Sequence, residues 1–359
     1  MDKLQERRKE INEIDGKIAS LFEERMAAVL KIAEFKKEHG LSIYDESREE
    51  EILRAAAKRL EKSEIAEYYV RLVKSVMDIS KDYQSRYING MRVAYSGTEG
   101  AFAHIATKKL FKSAVAVPYP GFKEAYDAVV RGECDAAVLP TENSYNGEVG
   151  AVTDLMFSGP LYVNAMTELA ITQDLLVVPG TKLEDIKKVI SHPQALGQCA
   201  QFLKENNLKG EEYENTALAA QRVMQMGDKS VAAIASGEAA EIFGLEVLYK
   251  NINASRTNTT RFAVFSRAPK MREEKENGVH SIILFTVRNE AGALARAIEI
   301  IGKYGFNMRA LRSRPMKELL WQYYFYVETE GNAKTKNGEK MMRELKLCCD
   351  KLKLLGTYI

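Results

Sequence analysis

The sequence predicts a multidomain protein whose parts belong to different fold classes. The first part, residues 1–89, carries apolar residues at helical spacing and predicts an all-α bundle. The second, residues 91–268, alternates short apolar strands with helices and predicts a two-lobed α/β domain. The third, residues 279–359, has the βαββαβ order of a ferredoxin-like domain. A charged linker, residues 269–278, is predicted before it.

Composition and charge limit the classes of protein to which the chain can belong. Hydrophobic residues make up 46% of the chain and charged residues 28%, which suits soluble domains with buried cores. A net charge of +2 is too small for the broad field with which proteins gather nucleic acid or acidic membranes. The charged start does not read as an export signal, and no apolar run approaches the ~20 residues that cross a bilayer. We therefore expect a cytoplasmic protein that binds neither nucleic acid nor membrane.

Cysteine and histidine give no sign of a metal centre. The four cysteines have neither metal-ligand spacing nor the pattern of a disulfide framework, and the four histidines are dispersed. We expect reduced thiols, no metal and no cofactor.

One long helix is predicted for residues 2–38. Its apolar residues form one stripe, and Gly40 stands where a C-terminal cap belongs. At ~1.5 Å per residue such a helix is longer than a domain of this size is wide, so another chain must cover part of it. The helix therefore predicts a homodimer.

Polar residues are predicted inside this bundle. Arg25 and Lys36 lie on the apolar stripe of the first helix, and Ser80 and Gln84 lie on one face of the third, residues 63–87. Unpaired buried cations are costly, so either an anionic ligand or carboxylates of another helix must meet them. The second helix, predicted over residues 46–60, adds an arginine and a glutamate, and the set suits a small dicarboxylate.

The order and spacing of these residues resemble the active-site pattern of the all-helical chorismate mutase family. The matching residues are Arg8, Asp15, Arg25, Lys36, Asp45, Arg48, Glu49, Ser80 and Gln84. The resemblance implies an intertwined homodimer of three-helix chains in which chorismate is rearranged to prephenate. It also implies that Arg8 reaches the partner's site, that Lys36 and Gln84 face the breaking ether oxygen, and that Glu49 faces the ring hydroxyl.

Four polar segments follow predicted strands of the α/β part. They are residues 97–102, 140–147, 191–199 and 258–262. The segments predict a cleft between two parallel-sheet lobes, because ligands of such sheets bind beyond the carboxyl ends of the strands. The last segment, which includes Thr260 and Arg261, is predicted to leave a loop just before a short apolar strand. Each segment alone also fits an ordinary turn.

In this order the segments resemble the prephenate dehydratase family over residues 91–267. The resemblance implies that prephenate loses carbon dioxide and its ring hydroxyl to give phenylpyruvate. The site residues it implies are Thr260, Glu142, Asn143, Ser191, Gln198 and Arg261. Thr260 is the residue that would assist the leaving hydroxide. A neutral threonine is a weak acid, so a protonated Glu142 remains the rival acid.

The last part resembles the ACT family of amino-acid sensors. One binding motif is matched by Gly292, Ala293 and Leu294, and most of the other by Ser313, Arg314 and Pro315. The resemblance implies that L-phenylalanine binds at a dimer interface and feeds back on the active site. Two residues depart from it: Arg312 replaces a glutamate, and Arg309 replaces a small polar residue. These cations should weaken binding of the effector's ammonium group unless Glu290 or a partner residue substitutes.

The three resemblances together predict one chain that carries both activities. Two alternatives remain at this point: a dehydratase whose helical segment only dimerises, and a two-lobed protein that binds a small anion without turnover. The cations on the apolar stripe of the first helix argue against the second alternative. The third domain could also be a purely dimerising appendage.

Overall fold

The computed structural model describes residues 2–254, 257–271, 277–316 and 322–359. It divides into two compact units, Met1–Arg92 and Val93–Ile359. Half of the predicted charged linker, residues 272–276, lies outside the described residues. So does residue 321, at which the sequence predicts the start of a strand. In the part of the chain that is described, no helix is both long and apolar enough to span a bilayer.

The first unit is helical, as predicted. Its helices are α1 (Asp2–His39), α2 (Glu46–Arg59) and α3 (Ala66–Asn89), and α3 packs on both of the others. Gly40 follows α1 with φ +63°, a left-handed conformation that glycine adopts without strain. Much of α1 remains uncovered by its own chain, since Ile11, Ile18 and Leu21 are 54–64% exposed.

The second unit contains the strands and the remaining helices. In chain order the strands are β1 (Arg92–Ser96), β2 (Val115–Tyr119), β3 (Ala136–Asn143), β4 (Gly147–Glu148), β5 (Tyr162–Ala170), β6 (Asp174–Val177), β7 (Lys188–Ser191), β8 (Lys209–Glu212), β9 (Val231–Ala235), β10 (Glu246–Tyr249), β11 (Thr259–Ser266), β12 (His280–Thr286), β13 (Met308–Pro315), β14 (Tyr323–Glu330) and β15 (Lys351–Tyr358). The helices are α4 (Phe102–Leu110), α5 (Phe122–Val130), α6 (Gly150–Ser158), α7 (Pro193–Gln198), α8 (Ala200–Glu205), α9 (Thr216–Met226), α10 (Gly237–Phe243), α11 (Ala293–Lys303) and α12 (Lys336–Cys348).

Two mixed sheets form the α/β lobes. The first has the order β2-β1-β3-β11-β5, with β4 paired to β3, and the second has the order β10-β6-β9-β7-β8. The prediction of parallel sheets is wrong, because β11 runs antiparallel to β3 and β5, and β6 runs antiparallel to β9 and β10. Strand β11 belongs to the first sheet although it lies far along the sequence from β3, with which it pairs. Local periodicity does not reveal such a pairing.

Three further elements differ from the sequence prediction. The apolar residues of 169–178 predict a single strand, but the structure has two strands there, β5 and β6, which belong to different sheets. The sequence predicts one helix over residues 194–206, but the structure divides it at Cys199 into α7 and α8. The segment predicted to leave a loop at residues 258–262 instead enters β11 at Thr259, where β-branched and aromatic residues favour a strand paired on both sides.

The third sheet has the order β13-β14-β12-β15, with its pairs antiparallel. This confirms the predicted βαββαβ topology. The sequence predicts only a short final strand, whereas β15 is eight residues long. Alternate residues face opposite ways, as a strand requires. Ile283 and Phe285 pack under α11 and α12, whereas Ile282 and Leu284 join the apolar core of the first sheet. The third domain therefore packs against the lobe that contains β3 and β11.

Candidate active sites

In the first unit, predicted site residues of α1 and α3 come together. Arg25 donates a hydrogen bond to the hydroxyl of Ser80, which in turn donates to the carbonyl of Val76 at 2.6 Å. The amide oxygen of Gln84 is buried and has no partner among the described residues. Lys36 Nζ donates to the carbonyl of Ile43 at 2.8 Å. A cation, a hydroxyl and an unsatisfied amide oxygen thus lie within one helical unit.

Lys81 lies beside this set and was not predicted from the sequence. Its Nζ lies 2.8 Å from Glu49 and 3.1 Å from Asp78. Burial by itself lowers the pKa of Lys81, but the hydrogen bonds to the two carboxylates outweigh burial and raise it. Only the packing of α2 on α3 brings Lys81 to Glu49, because the two residues lie in different helices.

Four predicted residues do not join the set within one chain. Arg8 and Asp15 are exposed on the N-terminal half of α1. At ~1.5 Å per residue, Arg8 lies about 25 Å from Arg25 along the helix axis. Arg48 is exposed and pairs with Glu51 at 2.5 Å. Asp45 is the N-cap of α2 and accepts from the backbone N–H of Arg48 at 3.1 Å.

The second site is a cavity of about 310 Å³ between the two lobes. Strands β3 and β11 line it from the first lobe, and α7 and the start of α9 line it from the second. The polar residues of its lining are Asn143, Asn146, Glu148, Gln173, His192, Gln194, Gln198, Asn215, Thr216, Asn258 and Thr260. The prediction of a cleft between lobes is confirmed.

A chain of hydrogen bonds orders the polar groups of this cavity. Asn143 Nδ2 donates to Thr260 Oγ1 at 2.9 Å and to Asn258 Oδ1 at 2.7 Å. Asn258 donates to Gln198 Oε1 at 3.1 Å, and Gln173 Nε2 lies 3.5 Å from the same oxygen. Because Thr260 Oγ1 accepts from Asn143, its own proton remains available for donation into the cavity.

Gln173 was not predicted as a site residue. It is 3% exposed, and its side-chain oxygen has no partner among the described residues. It lies between β5 and β6, where the chain passes from one sheet to the other, so it enters the cavity from the connection between the lobes. Because residues 169–178 predict a single strand, the sequence gives no sign of this crossover or of Gln173.

The structure does not bring Glu142, Arg261 or Ser191 into the cavity lining. Successive side chains of a strand point to opposite faces of the sheet. Thr260 and Asn143 face the cavity. Arg261 pairs in register with Glu142, so both of these side chains lie on the opposite face of the sheet, here called the back face. Ser191 is completely buried and donates to the carbonyl of Ile234 at 2.6 Å. None of these three residues therefore lines the cavity, and the expectation that they surround the substrate stays a prediction.

Arg261 instead binds the third domain. Its guanidinium donates two hydrogen bonds of 3.0 Å to Glu328 and a third of 3.0 Å to the hydroxyl of Tyr358. Burial by itself lowers the pKa of Arg261 and raises the pKa of Glu328, since it disfavours charge. The hydrogen bonds and opposite charges outweigh burial, so the pKa of Arg261 is raised and that of Glu328 is lowered.

The two predicted effector motifs lie apart within one chain. Gly292 precedes α11 with φ +79°, and Leu294 lines a cavity of about 310 Å³ that also includes Glu290. Ser313, Arg314 and Pro315 belong to the edge strand β13, and Pro315 lines a different cavity of about 800 Å³.

Several polar groups in or beside these motifs already have partners within the chain. Arg314 donates to Asp154 at 2.9 Å, and Glu290 pairs with Arg296 at 2.7 Å. Arg312, the departure from the family pattern, pairs with Glu142 at 2.6 Å. The cation at this position therefore contacts a strand of the first lobe.

Comparisons with known proteins agree with this division of sites. Residues 7–85 match the family model of chorismate mutase type II, and residues 93–270 match that of prephenate dehydratase. A bifunctional chorismate mutase/prephenate dehydratase of Aquifex aeolicus is 32% identical over 367 residues, covering 100% of this chain and 98% of that protein. The chain belongs to this bifunctional family.

Solved structures resemble the second unit. A prephenate dehydratase from Arthrobacter aurescens, solved with L-Phe, is 27% identical with a TM-score of 0.69, covering 75% of this chain and 90% of that one. A protein described as a quorum quenching acylase, GqqA, is 30% identical with the same TM-score and covers 74% of this chain and 97% of that one.

Proposed function

We propose that the chain catalyses two consecutive steps of phenylalanine biosynthesis at two separate sites. The first unit rearranges chorismate to prephenate, and the second converts prephenate to phenylpyruvate with loss of carbon dioxide and water. The observation that carries the proposal is the end-to-end likeness to a bifunctional relative, with one family model matched in each unit. Biosynthetic relatives of this kind also support a cytoplasmic location.

The mutase reaction requires the protein mainly to position the substrate and to stabilise its developing charge. It is a unimolecular rearrangement, so the site has to hold a compact conformer and stabilise negative charge on the breaking ether oxygen. We assign Arg25 to a substrate carboxylate, and Lys36 and Gln84 to the ether oxygen. The part-buried setting of both cations supports this assignment, because charge is stabilised more strongly away from bulk water.

We propose that the mutase site is completed by a second copy of the chain. Arg8 is too far along α1 to reach Arg25 of its own chain, and the apolar residues near it are exposed. Ile11, Ile14, Ile18 and Leu21 are 49–64% exposed, which favours burial against another helix. An intertwined homodimer would cover this stripe and bring Arg8 to the partner's site.

The dehydratase reaction is driven by formation of an aromatic ring, so the protein has to orient prephenate and assist the departing hydroxide. We assign that assistance to Thr260, whose hydroxyl accepts from Asn143 and is free to donate. Glu142 lies on the back face of β3 and is paired with Arg312, which weighs against the rival acid. Asn143, Gln198, Gln173 and Asn258 would bind the polar groups of the substrate.

We also propose that the third domain is an ACT domain that senses L-phenylalanine. Its βαββαβ topology and the two motifs support this, as does the L-Phe bound to the Arthrobacter relative. The motifs lie in separate cavities of one chain, so the effector site would form between two copies. Because Arg312 and Glu290 are engaged in ion pairs, we expect weak feedback.

The experiment that tests the proposed function supplies chorismate and prephenate separately to the purified protein and analyses the products, with and without L-phenylalanine. We expect phenylpyruvate from both substrates and partial inhibition by L-phenylalanine. Accumulation of prephenate from chorismate would contradict the dehydratase assignment, and conversion of neither substrate would favour a binding protein without turnover.

A further inference from the structure

Alternating charges that the proposed chemistry does not use connect the back face of β3 and β11 to the third domain. We define the back-face cluster as Glu142 of β3, Arg261 of β11, Arg312 of β13 and Glu328 of β14. We propose that Arg312 and Glu328 are positioning residues for the dehydratase reaction, which hold β3 and β11 so that Asn143 and Thr260 face the cavity in register. The inference rests on the proposed function of that cavity.

The contacts form one continuous network from the third domain to the catalytic strands. Glu328 is fully buried and receives two hydrogen bonds of 3.0 Å from Arg261. Arg261 also lies 3.7 Å from Glu142, whose carboxylate pairs with Arg312 at 2.6 Å. The order Glu328, Arg261, Glu142, Arg312 thus alternates in sign, and each inner residue has an opposite charge on both sides.

The network acts on the cavity through the strand geometry. Arg261 is directly bonded to Thr260, and Glu142 is directly bonded to Asn143. The same ladder pairs Arg261 with Glu142 and Thr260 with Asn143. A shift of either back-face residue therefore shifts its neighbour on the front face, where the bond from Asn143 to Thr260 is 2.9 Å long. Small displacements of such a group from its productive geometry are costly in rate.

The positive charge of Arg312 also helps to hold β3 in position, because it pairs with Glu142. Glu142 is 29% exposed in its side chain and Arg261 only 19%, so water screens the cluster poorly. Without Arg312, Glu142 and Glu328 would share one guanidinium. A glutamate at position 312, the residue that the ACT resemblance leads one to expect, would face Glu142 with a like charge. Arg312 therefore stands where the ACT resemblance leads one to expect an acceptor for the ligand, and it instead forms an ion pair with Glu142 of the first lobe.

The test reverses the charges of Arg312 and Glu142, first at Arg312 alone and then at both residues. Both activities are measured for each variant. We expect Arg312→Glu to lower dehydratase kcat by about tenfold or more, with a smaller change in KM, and to leave mutase activity within about twofold. The double variant Glu142→Lys/Arg312→Glu restores the opposite charges and should recover most of the lost kcat. Arg312→Lys should retain most of the activity. Arg343→Glu, an equal charge reversal on the exposed face of α12, is the matched control and should change neither activity.

Either of two results overturns the inference. The first is an unchanged dehydratase kcat in Arg312→Glu. The second is a double variant that is no more active than Arg312→Glu, although its thermal unfolding is like that of the unmodified chain. A chain that does not convert prephenate before any substitution would instead contradict the proposed function itself, so the two failures are distinguishable.

Discussion

At the residue scale, the proposed dehydratase chemistry depends on the contact between Asn143 and Thr260. Their bond of 2.9 Å fixes the hydroxyl as an acceptor from the amide and leaves its proton free. Removing a group that assists proton transfer costs ~10²- to 10⁴-fold in rate.

Thr260→Val keeps the shape of the side chain and removes the hydroxyl. We expect dehydratase kcat to fall by about a hundredfold or more, whereas Thr260→Ser should keep most of the activity. Thr259→Val is the control, because Thr259 belongs to the same strand but does not line the cavity. Steady-state kinetics on prephenate measure the effect, and an active Thr260→Val would contradict the assigned role.

Glu328 provides a pH-dependent prediction at the same scale. Its pKa is lowered in the folded chain, because the hydrogen bonds from Arg261 and Tyr358 outweigh burial. A lowered carboxyl pKa contributes stability that is present above the unfolded value of about 4.3 and is lost as pH falls through the folded value. We expect Glu328→Gln to lower the free energy of unfolding of the second unit by about 3 kcal/mol at pH 7.

This difference from the unmodified chain should shrink as the solution becomes more acidic than the unfolded pKa of glutamate. Urea unfolding at neutral and acidic pH measures it. Glu299→Gln, at an exposed site of α11, is the control and should have little effect at either pH. A loss of stability that is the same at every pH would contradict the ion-pair account.

At the scale of elements, α1 and β11 show how far periodicity predicts structure. The apolar stripe and Gly40 predicted the length of α1 closely, because both signals are local. The place of β11 was not predictable in the same way: it pairs with β3, which precedes it by more than a hundred residues. The sequence identified Thr260 and Arg261 together, but only the strand assignment separates them onto opposite faces. The partner of Arg261, Glu328, comes from a different domain.

The exposed stripe of α1 gives an element-scale prediction. Ile14→Asp/Ile18→Asp places charges where a second copy is expected to pack, so the dimer should weaken and mutase activity should fall by at least about tenfold. Dehydratase activity on supplied prephenate should change less. Glu13→Asp/Lys17→Arg, on neighbouring exposed positions, is the control. Sedimentation and both assays measure the outcome, and full mutase activity in a monomeric variant would contradict the shared site.

At the scale of the whole molecule, two compact units carry two sites whose residues do not overlap. The residues proposed for the mutase reaction belong to α1, α2 and α3, whereas both lobes of the second unit line the cavity proposed for the dehydratase reaction. The third domain packs its sheet against the lobe that presents Thr260, which is where regulation of the second activity would act. The central claim is therefore that one chain performs two reactions that separate variants can remove independently.

The most direct test of this claim is a crossed assay of Arg25→Ala and Thr260→Val on chorismate and prephenate. We expect Arg25→Ala to lose conversion of chorismate and still convert prephenate to phenylpyruvate. Thr260→Val should convert chorismate and accumulate prephenate. If either substitution removed both activities in a folded protein, or if Arg25→Ala left the mutase rate unchanged, the account of two separate sites would be contradicted.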